Sequence, residues 1–79
     1  MAVSMQVRCV DAAREAARLA ARGDGSASDA ARGIAPDGAA VALRNDGDLV
    51  VATVTARSAL LPGITVAAEA VAAVEPGLR

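Results

Sequence analysis

The sequence has no histidine, no lysine and no phenylalanine, tyrosine or tryptophan, and its only cysteine is Cys9. Each absence removes a class of chemistry. Without histidine there is no side chain that ordinarily titrates near neutral pH and no imidazole to ligate a metal. Without aromatics interleaved with bases, and with a net charge of −1, the chain lacks the basic stacking surface that nucleic-acid binding requires. A lone cysteine excludes an internal disulfide. No apolar run is long enough for a membrane-crossing helix, and Arg8 and Asp11 interrupt any signal-peptide core.

Small residues dominate what remains. Of the 79 residues 54% are hydrophobic, but 22 are alanine and only 20 are Val, Leu, Ile or Met. A chain of this length forms one domain and buries only ~60% of the surface that it exposes when unfolded. The core is expected to be thin, with stability either modest or completed by a partner. All eight bases are arginine, which with the alanine and glycine content reflects a GC-rich coding sequence.

The stretch QVRCVDAAREAARLAARGD, residues 6–24, carries the strongest pattern. At 100° per residue, Arg8, Asp11, Arg14, Glu15, Arg18 and Arg22 share one stripe, and Met5, Cys9, Ala13, Ala16, Ala17 and Ala20 lie opposite. A helix is expected over 3–22, its charges solvated or forming a seam between subunits, with Gly23 as its left-handed stop. The alanine face buries little surface but allows another backbone close approach. A second helix is expected over 27–32, opened by a capping box from Ser26 to Asp29 and ended by Gly33 and Pro36.

From Gly38 the period becomes two. Runs at 39–44 and 49–57 flank Asn45-Asp46-Gly47-Asp48 and predict a hairpin with a type I′ turn on Asp46-Gly47. That turn pairs Leu43 with Val50 and Val41 with Ala52, and sets Arg44, Thr53, Thr55 and Arg57 on the opposite face. Ser58 to Gly63 reads as a connection, in which Leu60 and Leu61 cap the core edge or form an exposed contact. A third strand is expected over 64–74, since its β-branched residues alternate and an isolated hairpin is rarely stable. The fold class is therefore α+β: a long amphipathic helix and a short second helix on a three-stranded antiparallel meander, with Val41, Leu43, Val50, Val54, Ile64 and Val66 filling the space against the alanines.

Catalytic and metal chemistry find little support in these residues. Ser26, Ser28 and Ser58 have no base partner in sequence and read as cap and loop residues. Asp46 and Asp48 belong to a turn and offer too few oxygen ligands for a cation. Cys9 lies within the apolar stripe and reads as a small buried hydrophobe, with a redox thiol or a crosslink as the alternatives. Arg22-Gly23-Asp24 matches an adhesion tripeptide, but each residue has a structural role at a helix end. No enzyme, cofactor or metal is expected.

The same helix segment, Arg8 to Asp24, resembles the post-anchor segment of TadE-like minor pilins, and the order of elements that follows it is similar over residues 6–76. The resemblance implies a truncated pilin-like fold and a structural subunit of a tight-adherence pilus or secretion apparatus. It also implies pilin or pilus-assembly subunits as partners and an extracytoplasmic or cell-surface location. The family's processing site and hydrophobic anchor are missing from this chain, so membrane attachment is expected only through an anchor outside it, with the start MAVSM placed where that anchor ends and the piece itself soluble. A second reading is a stand-alone interaction module, a homo-oligomer built on the alanine face or an open sheet edge. A small redox protein using Cys9 is the third. The residues expected to carry packing or interaction are Cys9, Ala13, Ala16, Ala20, Arg14, Arg18, Leu60 and Leu61.

Overall fold

A computed structural model of the chain describes residues 4–58 and 63–74. Helix α1 spans Met5–Ala21, helix α2 Ala27–Ile34, and strands β1 (Ala40–Asp46), β2 (Leu49–Arg57) and β3 (Thr65–Ala73) follow. The strands form one antiparallel sheet in the order β1-β2-β3. Both helices lie on the same face of this sheet, α1 over β3 and β2, with α2 beside it reaching β1. The expected α+β architecture is the observed one.

Helix α1 is well terminated at both ends. The Ser4 hydroxyl accepts the Val7 N–H at 3.2 Å, which satisfies one of the free amides of the first turn. At the other end Gly23 has φ +79°, and the Gly23 and Asp24 amides return to the carbonyls of Ala20 and Leu19. That pair of bonds is a Schellman cap.

The second helix departs from expectation at both ends. Ser26 forms no side-chain cap; its amide and its hydroxyl both donate to the Asp24 carboxylate, at 2.9 and 2.7 Å. No capping box forms because Asp24, two residues upstream, holds the serine instead. Gly33 does not end the helix either. It lies inside the last turn, and the chain becomes extended only at Ala35, the residue that Pro36 keeps out of helical geometry.

The hairpin turn also sits one step from its expected place. Asp46 pairs with Leu49, Leu43 with Ala52 and Val41 with Val54, so Gly47 and Asp48 are the central residues. Gly47 has φ +61°, and no described non-glycine residue has a positive φ. A type I′ turn on Asp46-Gly47 would force Asp46 into the left-handed region. The observed turn leaves that conformation to glycine alone, the arrangement of type II′ turns. Because the register moves by two residues, every side chain keeps its expected face.

The core is as thin as the composition implies. Cys9, Ala12, Ala13, Ala16 and Ala17 of α1 meet Ala52, Val54, Ala56 and Ala68 of the sheet, and Val54 and Cys9 are the largest fully buried side chains. Ala12 and Ala21 are buried and Ala20 only half-buried, so the buried arc is wider than the single stripe drawn from the sequence. Leu43 and Ile64, expected as core fillers, are exposed by 36% and 51%. Leu43 is on β1, which α1 barely covers, and Ile64 precedes β3. Val51 points to the face away from the helices, where the register sets it between Arg44 and Val71, yet it is buried.

Arg8 is a further correction. Instead of joining the solvated stripe it is half-buried, and its guanidinium donates to the carbonyls of Ile34 (3.2 Å) and Ala35 (3.1 Å). These carbonyls close α2, where a cation satisfies unpaired acceptors and opposes the negative helix end. Arg8 thereby clasps one helix to the other. Along the rest of the charged stripe, Glu15 and Arg18 form an ion pair; Asp11 and Arg14, also three residues apart, do not.

Two outcomes follow for stability. Ala13→Leu or Ala16→Leu should destabilise the domain by about 1–3 kcal/mol through overpacking, read from denaturant melts; unchanged stability would mean that the helix is not docked so closely. Arg8→Ala should cost about 1–2 kcal/mol and Arg14→Ala less than about 0.5 kcal/mol. Equal costs for the two arginines would contradict the clasp.

Candidate functional site

The residues singled out from the sequence separate into two groups. Cys9, Ala13 and Ala16 have no exposed surface; their contacts are within the chain, so the alanine face of α1 is not open to a second copy. Ala20 borders a hollow of about 300 Å³ at the end of the sheet, together with Gly23, Asn45, Gly47 and Val74. Leu60 and Leu61 lie outside the described residues. Arg14 and Arg18 line a different feature, and it is the more informative one.

This feature is a groove of about 240 Å³ between the C-terminal half of α1 and the free edge of β3. One wall is Arg14, Arg18 and Arg22, over a floor of Ala17 and Ala21; the other is β3 from Ala70 to Ala73. The helix period puts these arginines on the flank beside β3. The alanines between them let the helix lie low, so the strand edge is not hidden by bulky neighbours. All three arginines are exposed. Arg18 bonds Glu15, while Arg14 and Arg22 have no ion-pair partner among the described residues.

Backbone geometry at the edge follows from one hydrogen bond. The Gln6 side-chain amide donates to the Ala67 carbonyl at 3.2 Å, so the polar groups of Ala67 face away from β2. Amide and carbonyl groups alternate sides along a strand. Glu69, Val71 and Ala73 therefore also present theirs to the free edge, which no other described strand pairs. Val71 is 55% exposed. The Glu69 carboxylate accepts the Thr53 hydroxyl at 3.5 Å on the outer face, away from α1. Among the described residues no carboxylate lines the groove.

Local structure engages several of the side chains that could carry chemistry. The serines near the helix starts serve local caps and turns, Ser4 at α1 and Ser26 on Asp24. Burial of Cys9 pushes its thiol above the ordinary value of about 9, against the opposing pull of the Arg8 charge. Asp24 is held below the usual carboxylate range by the Ser26 amide and hydroxyl, helped by Arg22 and Arg18. Among the described residues no three His, Cys, Asp or Glu side chains come together as a metal site, and no described helix is long and apolar enough to cross a membrane.

Sequence reasoning placed all three groove arginines on the charged stripe, singled out Arg14 and Arg18, and named an open sheet edge, but did not bring the stripe and the edge together. The signal was present in Val71, an apolar residue at an outward position of the last strand.

Comparison with curated proteins finds a similar chain in Mycobacterium tuberculosis, named Apoptosis inhibitor Rv3655c, with 66% identity over 77 residues. The match spans 96% of this chain and 62% of that protein, so the chain covers less than two thirds of its relative's length. No family model matches, and no solved structure matches. These findings overturn the TadE-like pilin resemblance and the pilus-assembly role that it implied. A sequence two-thirds identical is named for another function, and no family model supports the pilin pattern. The α+β architecture stands without that label.

The Cys9 environment has a measurable consequence. The folded thiol keeps its proton to higher pH than the unfolded one, so its burial costs no stability below pH of about 9 and stability falls as pH rises past that value. Alkylation of Cys9 at neutral pH should be slow in the folded chain and fast in denaturant. Equal rates in both states would place the thiol at the surface.

Proposed function

We propose that the chain is a small non-enzymatic interaction module that acts by protein–protein contact. The observation that carries this reading is the β3 edge beside α1, which no other described strand pairs. Native proteins usually blunt a long free edge with lysine, proline or a covering segment, whereas β3 is nine residues long with Glu69 as its only charge. The lack of histidine, the buried cysteine and the structural use of Ser4 and Ser26 support a role without catalysis, and the reading requires no cofactor.

The relative's name gives the module a setting: inhibition of apoptosis, exerted by occupying a partner rather than by turning over a substrate. An extracytoplasmic location, first implied by the pilin resemblance, is kept in this proposal on another ground, since a module of this kind needs access to its partner. Self-association is the second form the proposal takes. With the alanine face engaged by the chain's own sheet, a second copy would have to use a sheet edge, and sedimentation at rising concentration reads this directly.

The test uses animal cells that express the chain and receive an apoptotic stimulus. Caspase activation should lag behind that in control cells. Val71→Lys, which places a charge on the open edge and leaves the core intact, should remove the lag while the chain remains folded by circular dichroism. Absence of a lag, or a lag of the same length with the variant, would overturn the proposal.

A further inference from the structure

Resting on the reading of the chain as an interaction module, we infer that the groove along β3 takes an extended, acidic segment of a partner protein, added to the sheet as a fourth strand. Two independent features of the site specify this occupant. The first is the backbone. Glu69, Val71 and Ala73 turn their amide and carbonyl groups to the free edge, and an extended segment is what satisfies such a row of groups. Ala67 is excluded, since Gln6 already occupies its carbonyl. That sets where the added strand stops.

Charge is the second feature. Arg14, Arg18 and Arg22 stand along the helix side of the groove, and Glu69 is directed to the other face of the sheet. Side chains of an added strand alternate between these two sides. Those facing α1 meet guanidinium groups, and those facing outward meet Val71 and Ala73. The groove therefore selects an alternation of acid and apolar residues, with the acids on the helix side.

A second copy of this chain fits poorly. Its edge strands are AVALRND and TVAAEAVAA, and neither offers acids at successive alternate positions. The same arginines would face one another if two β3 edges paired with both helices on one side of the joined sheet. Charge complementarity thus favours a foreign acidic strand over self-pairing.

The experiment titrates the purified chain with a synthetic peptide of about nine residues that alternates Glu and Val, the length of a strand able to span β3. Amide shifts at Glu69, Val71 and Ala73 should move together, and affinity should fall with added salt. Arg14→Glu combined with Arg18→Glu should weaken binding by at least about tenfold. Replacing Glu by Lys in the peptide should abolish binding, as should N-methylation of the peptide residues that face β3.

Several results would overturn the inference: no binding, equal binding of the Lys peptide, shifts confined to the arginines, or equal binding of anionic phospholipid vesicles or a helical acidic peptide. A concentration-dependent dimer with the β3 amides already protected from exchange would overturn it too. Should Val71→Lys remove the lag in caspase activation while the Glu-Val peptide fails to bind, the interaction module stands and the acidic strand does not.

Discussion

Everything in this fold depends on how closely α1 can approach the sheet. A helix face of alanines has almost no side-chain relief, so attraction comes from many short-range contacts between backbones and methyl groups rather than from a few large side chains. Ala12, Ala13, Ala16 and Ala17 against Ala52, Val54, Ala56 and Ala68 form that interface. Such packing excludes water efficiently, but it buries little apolar area per residue, so each contact contributes little. It also tolerates little change in volume. A layer built from the smallest side chains has no large side chain that can rearrange to admit one more methyl group.

Close approach has a second effect at the margins. Because the helix lies low over β2 and β3, its polar flank comes level with the edge of the sheet. Arg14, Arg18 and Arg22 then stand beside β3 instead of high above it. On the other flank Arg8 is drawn down to the end of α2 and binds two of its carbonyls. Four arginines of one helix thus have two fates. The one that meets another helix becomes structural, and the three beside the strand edge stay exposed, Arg18 in an ion pair with Glu15. Helix period sets their angular positions, but the neighbour on each side sets their roles.

That distinction marks what was legible in the sequence. Period-two alternation gave the right face for every residue of the sheet, because burial of one face enforces parity strongly. It did not give the register, since pairings two residues apart leave the same residues inside, and only the preference of positive φ for Gly47 over Asp46 separates them. The helices were legible in type but less so in their ends. Ser26 had a closer partner in Asp24 than the capping box supplied, and Pro36 outweighed Gly33. Leu43 and Ile64 appeared inward by parity and are on that side, but they lie at the margins of the helix layer and stay exposed. Parity tells which way a side chain points; coverage depends on where the helices lie.

The groove was illegible for the same reason. Its arginines and its strand are some fifty residues apart in sequence, and nothing local in either announces the other. Yet the thin core makes such an edge consequential. A domain with few large buried side chains has little stability in reserve, and a strand added to β3 would cover Val71 and extend the hydrogen-bonded sheet next to the alanine interface. Any segment that binds only the folded chain stabilises it by mass action. Folding and the proposed occupation of that edge would therefore be linked: the alanine interface that leaves the core thin also brings the arginines level with an edge that no other described strand pairs, and its occupation would in turn hold the helix to its sheet.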